Sequence, residues 1–130
     1  MKPKKIWANL SVIDVERTRK FYDAIGFKRN AGHDGGAELA SFVIGDDDFV
    51  VHFFAIDVLK RFMGNIADLT LGNEIIFTLY AESRNEADAW AEEVRNAGGT
   101  LFGDPAEFGE GYYGFTFADP DGHKWNVFHM

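Results

Sequence analysis

The sequence contains no cysteine and only three prolines. Without a thiol there is no disulfide, no thiolate metal site and no cysteine nucleophile, and such a chain suits a reducing cytoplasm. No apolar run approaches the roughly 20 residues that cross a bilayer, and the Lys-rich start leads into an alternating pattern rather than the apolar core of a signal peptide. The expectation is a soluble, unprocessed, cytoplasmic protein with no membrane partner. Positive charge is also scarce: 13 Lys and Arg stand against 21 Asp and Glu, a net charge of -8. Phosphate binding rests on clustered Lys and Arg, so nucleic acid is not an expected partner. No dinucleotide-binding glycine fingerprint, Walker loop, nucleophile elbow or Ser-His-Asp arrangement stands in a usable context.

What is present is a chain of 130 residues, 46% hydrophobic and 15% aromatic, which by length is one domain with a core of its own. Ile6 to Val12 alternates as a strand, with Ala8, Leu10 and Val12 on one side and Trp7, Asn9 and Ser11 on the other. Asp14 reads as the N-cap of a helix whose apolar stripe is Val15, Phe21, Tyr22 and Ile25, and Gly26 stands where a left-handed residue ends it. Phe27 to Ala31, Glu38 to Ile44 and Phe49 to Ala55 follow as strands, with a turn at Gly45 to Asp48. Asp57 to Met63 reads as a short helix and Gly64 to Asn73 as a connection.

A second pass then begins. Glu74 to Tyr80 reads as a strand, Ser83 and Glu86 form a capping box, and Ala87, Trp90, Ala91, Val94 and Ala97 give the helical stripe, which Gly98-Gly99 ends. A strand from Thr100 to Phe102 and a loop from Gly103 to Gly111 lead to Phe115 to Ala118, the turn Asp119-Pro120-Asp121-Gly122, and Lys124 to His129. In that last strand Lys124, Asn126 and Phe128 share one face, and Trp125, Val127 and His129 the other. The element order β-α-β-β-β thus occurs twice, over about residues 5–56 and 74–130, an internal repeat of order rather than of residue identity. At an offset of 69 residues Trp7 corresponds to Ile76, and counting from each closing strand matches His52 to Asn126.

Two such units, the motif V-x-D-V-x-R-T-x-x-F-Y-x-x-I-G-F from Val12 to Phe27 and the ending D-P-D-G-H-x-W from Asp119 to Trp125 together resemble the vicinal-oxygen-chelate superfamily. That group includes the glyoxalases (lactoylglutathione lyase), extradiol dioxygenases, fosfomycin-resistance transferases and bleomycin-resistance proteins. The resemblance spans nearly the whole chain. It implies an α+β fold in which two tandem units form a curved mixed sheet with helices outside and a ligand cavity on the concave side. It also implies a homodimer. In metal-dependent members a divalent ion is held by His or Glu at four repeated positions, which fall here on Trp7, His52, Ile76 and Asn126. An indole and a sec-butyl group donate no lone pair, and a carboxamide is a weak neutral donor. The expectation is therefore no metal and no cofactor.

His52, between Val50 and Phe54 on its face, admits two readings: a hydrogen-bonded structural residue, or a group that bonds a ligand oxygen or acts as a general base. Trp7, Phe54 and Phe128 are candidates to sandwich a planar ligand, or else pack at a dimer seam; Ile76 lies on the same face. Asn9, Ser11, Thr78 and Asn126 place more small polar groups there than a core face carries, as a small-molecule pocket would. His33 in a loop, His123 at the turn (capping it or facing solvent) and His129 on the helix side lack spaced partners. Asp46 to Asp48 reads as a solvated turn, since the glycine and closing glutamate of a calcium loop are missing. Glu107 and Glu110 read as surface carboxylates or cavity rim. Two functions fit: a metal-free protein that binds a small, partly aromatic molecule, or a lyase or dioxygenase of the glyoxalase type with an altered metal site.

Overall fold

The computed structural model describes all 130 residues as two compact units, residues 1–66 and 67–130. The first holds β1 (Trp7–Val12), α1 (Val15–Ala24), β2 (Lys28–Arg29), β3 (Leu39–Ile44), β4 (Phe49–Ala55) and α2 (Ile56–Met63). Its four strands lie in the order β1-β4-β3-β2. β1 runs parallel to β4, and the other neighbours are antiparallel. This is a mixed sheet.

Local chemistry sets the boundaries of α1. The Asp14 carboxylate accepts the Arg17 amide at 3.0 Å, filling one of the free donors of the first turn. At the other end Gly26, at φ 84°, donates to Asp23 O while Phe27 donates to Tyr22 O, the two bonds of a Schellman ending. The helix then buries Phe21 and Tyr22 against Val12, Phe42, Val51 and Phe53. Tyr22 stacks on Phe53 with ring centres 4.5 Å apart and lies 5.5 Å from Phe42. Ile25 is only half-buried, and Thr18 takes a core place instead.

The second unit holds β5 (Phe77–Tyr80), α3 (Arg84–Asn96), β6 (Thr100–Leu101), β7 (Ala106–Phe108), β8 (Tyr112–Ala118) and β9 (Lys124–His129). Its path is β5-β9-β8-β6, with β7 also paired to β8, and again the first strand is parallel to the last. The Ser83 hydroxyl accepts the Glu86 amide at 3.0 Å, and the Glu86 carboxylate reaches back to the Glu82 amide. Gly98 and Gly99 repeat the Schellman ending. Ala87, Ala91 and Val94 pack the helix over Phe115, Phe117, Trp125 and Val127, while Trp90 and Ala97 stay half-buried.

Several expectations change: β2 covers only Lys28–Arg29 of the stretch from Phe27 to Ala31, and β8 begins at Tyr112, ahead of Phe115. The stretch expected to be loop from Gly103 to Gly111 carries β7, which adds a strand to the second unit. β5 begins at Phe77 rather than Glu74, so Ile75 and Ile76 precede the ladder, 62% and 50% exposed. Of the two readings of His123, capping the turn or facing solvent, burial excludes the second. The residue is 7% exposed, and its amide is one of three, with those of Asp121 and Gly122, that the Asp119 carboxylate gathers to close the β8-β9 turn.

Candidate functional site

Of the residues singled out from sequence, Trp7, Asn9, Ser11, His52 and Phe54 lie on the sheet face of the first unit that points away from α1. Parallel register sets Asn9 opposite His52 and Ser11 opposite Phe54, and on the other side of β4 the antiparallel register sets Ser41 opposite His52. Residues paired in register share a face, so β1, β4 and β3 each bring a polar group to the imidazole's row. Trp7, 54% exposed, lies edge-on to His52 at 6.5 Å between ring centres, and Phe54 at 5.8 Å.

Sequence reasoning missed the third ring. His33, from the loop after β2, sits 6.3 Å from His52. It also missed Asn30, whose amide group donates to the Ser41 hydroxyl at 3.1 Å. His52 Nδ1 is buried and has no hydrogen-bond partner. Burial, and secondarily the charge of His33, push the His52 imidazolium toward losing its proton. In its neutral form the ring donates through one nitrogen and accepts through the other.

In the second unit the same register places Thr78 opposite Asn126 and Tyr80 opposite Phe128. Thr116 stands on the far side of Asn126 and donates a long hydrogen bond, 3.4 Å, to its side-chain oxygen. Phe128 meets Tyr112 edge-on at 6.1 Å, and Tyr112 stacks on Phe108 at 5.9 Å, giving an aromatic row beside an amide and two hydroxyls. Asn9 and Thr78, 69 residues apart, therefore occupy equivalent registers in their units. His129 is structural: its Nδ1 donates to Ala81 O at 2.9 Å. Glu107 pairs with Arg84 at 2.6 Å on the surface.

The two β-α-β units, each with a parallel first and last strand and a polar row on the face away from the helix, define a tandem-repeat α+β protein. The family model of the glyoxalase/bleomycin resistance protein/dioxygenase superfamily matches residues 6–127, and the chain belongs to that superfamily. Among solved structures it resembles a hypothetical protein from S. aureus at 28% identity, with a TM-score of 0.86 over 100% of this chain and 96% of that one. It resembles a glyoxalase-related enzyme from Fulvimarina pelagi at 19% identity and TM-score 0.83, over 98% and 89% of the two chains. A lactoylglutathione lyase from Agrobacterium tumefaciens is similar at 19% identity and TM-score 0.69, over 99% and 96%. No curated protein matches the sequence.

The divalent ion found in metal-dependent members of the family does not fit the residues present. No group of three or more His, Asp or Glu side chains is arranged to hold one. Of the four repeated positions, Trp7 and Ile76 have no lone pair to give, Asn126 offers a neutral oxygen, and only His52 is a strong donor.

Proposed function

We propose that this protein binds a small, partly aromatic molecule on the sheet face carrying His52, with the equivalent face carrying Asn126 as a second candidate surface, and does so without a tightly bound metal. One observation carries the reading: where relatives would hold a cation, an imidazole with a buried, unpartnered Nδ1 stands among an indole, a phenyl ring and small polar groups. A planar ligand gains from stacking on Trp7 or Phe54, and a polar substituent gains a hydrogen bond from the neutral ring. Ser11, Thr78 and Phe128 are proposed ligand contacts on the same grounds, and Ile76 contributes apolar area before β5. A homodimer in the cytoplasm is the proposed assembly; the lack of any helix long and apolar enough to cross a membrane is compatible with it.

A second reading, proton transfer by His52 in a lyase-like reaction without metal, draws support from the same imidazole, whose buried Nδ1 has no hydrogen-bond partner. A thermal-shift screen over aromatic metabolites, drugs and divalent metals tests both. A ligand that binds only the folded state raises the melting temperature by mass action. The expected result is a shift with one class of aromatic compound and none with Zn or Ni. A shift with metals alone overturns the proposal.

A further inference from the structure

Arg19 is an anomaly in α1. It is a cation 7% exposed in a helix whose other buried positions are Val15, Thr18, Phe21 and Tyr22. Burying a charge is costly unless it is paired and its hydrogen bonds are met. Here they are met by the loop after β2, by the first residue of β3 and by Glu16 of the same helix. Nε and Nη2 donate to Asp34 Oδ1 at 3.1 and 2.7 Å, and Nη2 also donates to the carbonyls of Gly36 at 2.7 Å and Leu39 at 3.2 Å. Glu16, one turn earlier, takes Nη1 at 2.5 Å. The guanidinium thus ties Asp34 and Gly36 of the segment between β2 and β3, and Leu39 at the start of β3, to α1. The ends of that segment are fixed separately, by the Asn30 amide to Ser41 O and the Asn30 side chain to the Ser41 hydroxyl at one, and by the Ala55 amide to Glu38 O at the other, and within it the His33 amide donates to Asn30 O at 2.9 Å.

The residue next to Asp34 is His33. Of the three rings around His52, those of Trp7 and Phe54 are fixed by sheet register, and only His33 depends on a loop. We infer that Arg19 is a positioning residue: it latches loop 30–38 so that His33 closes one side of the His52 site, and releasing the latch opens that site. This rests on the reading that His52 is the polar centre of a binding face, yet the latch can be tested without any ligand.

The test compares wild type with Arg19→Gln, Asp34→Ala and His33→Ala, using Arg95→Gln, a surface substitution in the second unit, as control. Two signals are read at pH 7: proton-proton nuclear Overhauser contacts between the His33 and His52 rings, and the rate at which diethyl pyrocarbonate modifies His52, followed by mass spectrometry. Arg19→Gln should abolish the His33 contacts, keep those of His52 to Trp7 and Phe54, and raise the modification rate several-fold, to that of His33→Ala. Asp34→Ala cuts the same latch from the loop side, together with the weaker Arg29–Asp34 ion pair at 3.5 Å, and decides the matter if Arg19→Gln does not fold. Unchanged contacts and rate in a folded latch variant overturn the inference. A latch that behaves as described while no aromatic ligand binds would refute only the proposed function.

Discussion

The imidazole of His33 lies 6.3 Å from that of His52, and the two cannot both be charged without repulsion. His52, buried and beside this neighbour, has its pKa lowered from 6.5 in the folded state. The unfolded chain therefore takes up the proton first as the pH falls. Stability should be level above pH 6.5, decline as pH drops from there toward the folded-state pKa, and level off below it as far as this group is concerned. Urea titrations across that window, on wild type and His52→Gln, check the point: the substitution should remove this part of the decline.

Gly114 is required by close approach, not by backbone angle. A Cβ there would lie 1.9 Å from Val127 O and 2.8 Å from Phe128 Cα, in the ladder between β8 and β9. Both obstacles are backbone, so the strands must part. Gly114→Ala should cost about 2–3 kcal/mol by chemical denaturation, the upper part of the range for overpacking.

Phe53 is fully buried beneath Tyr22 at the centre of the first unit. Removing its ring deletes transfer free energy and leaves a cavity walled by Val51, Phe42 and Tyr22. Phe53→Ala should lose about 3–5 kcal/mol by the same measurement.

The Ser83 cap is a smaller, independent effect. Its hydroxyl satisfies the Glu86 amide, and Ala cannot. Ser83→Ala should destabilise by about 1 kcal/mol, while Ser83→Asp, which restores an acceptor and suits the positive end of the helix dipole, should be close to neutral.

Much of the fold was legible because its punctuation is local. Asp14, Ser83 with Glu86, and the paired endings at Gly26 and Gly98 each act through bonds to residues within one turn, so residue type alone announces them. β4 and β9 run over the stretches expected, Phe49 to Ala55 and Lys124 to His129, since alternation there is clean and the bounding turns are strong. β7 was not legible: Ala106, Glu107 and Phe108 are all exposed, so no buried face imposed a pattern on them. Ile75 and Ile76 misled in the other direction, as β-branched residues that look like strand yet stand unpaired and exposed before β5. The row of Asn9, His52 and Ser41 could be anticipated in part, from period-two alternation. His33 could not, because its position beside His52 runs through a buried arginine, and nothing in a sequence distinguishes the arginine that will be buried from those that stay in water.

The central claim, binding without a metal, is tested most directly by equilibrium dialysis of the purified protein against micromolar Zn or Ni, with bound metal measured per chain. The account predicts sub-stoichiometric uptake that Asn126→Ala leaves unchanged. Uptake of one ion per chain at micromolar concentration, lost on His52→Ala and on Asn126→Ala, would contradict it.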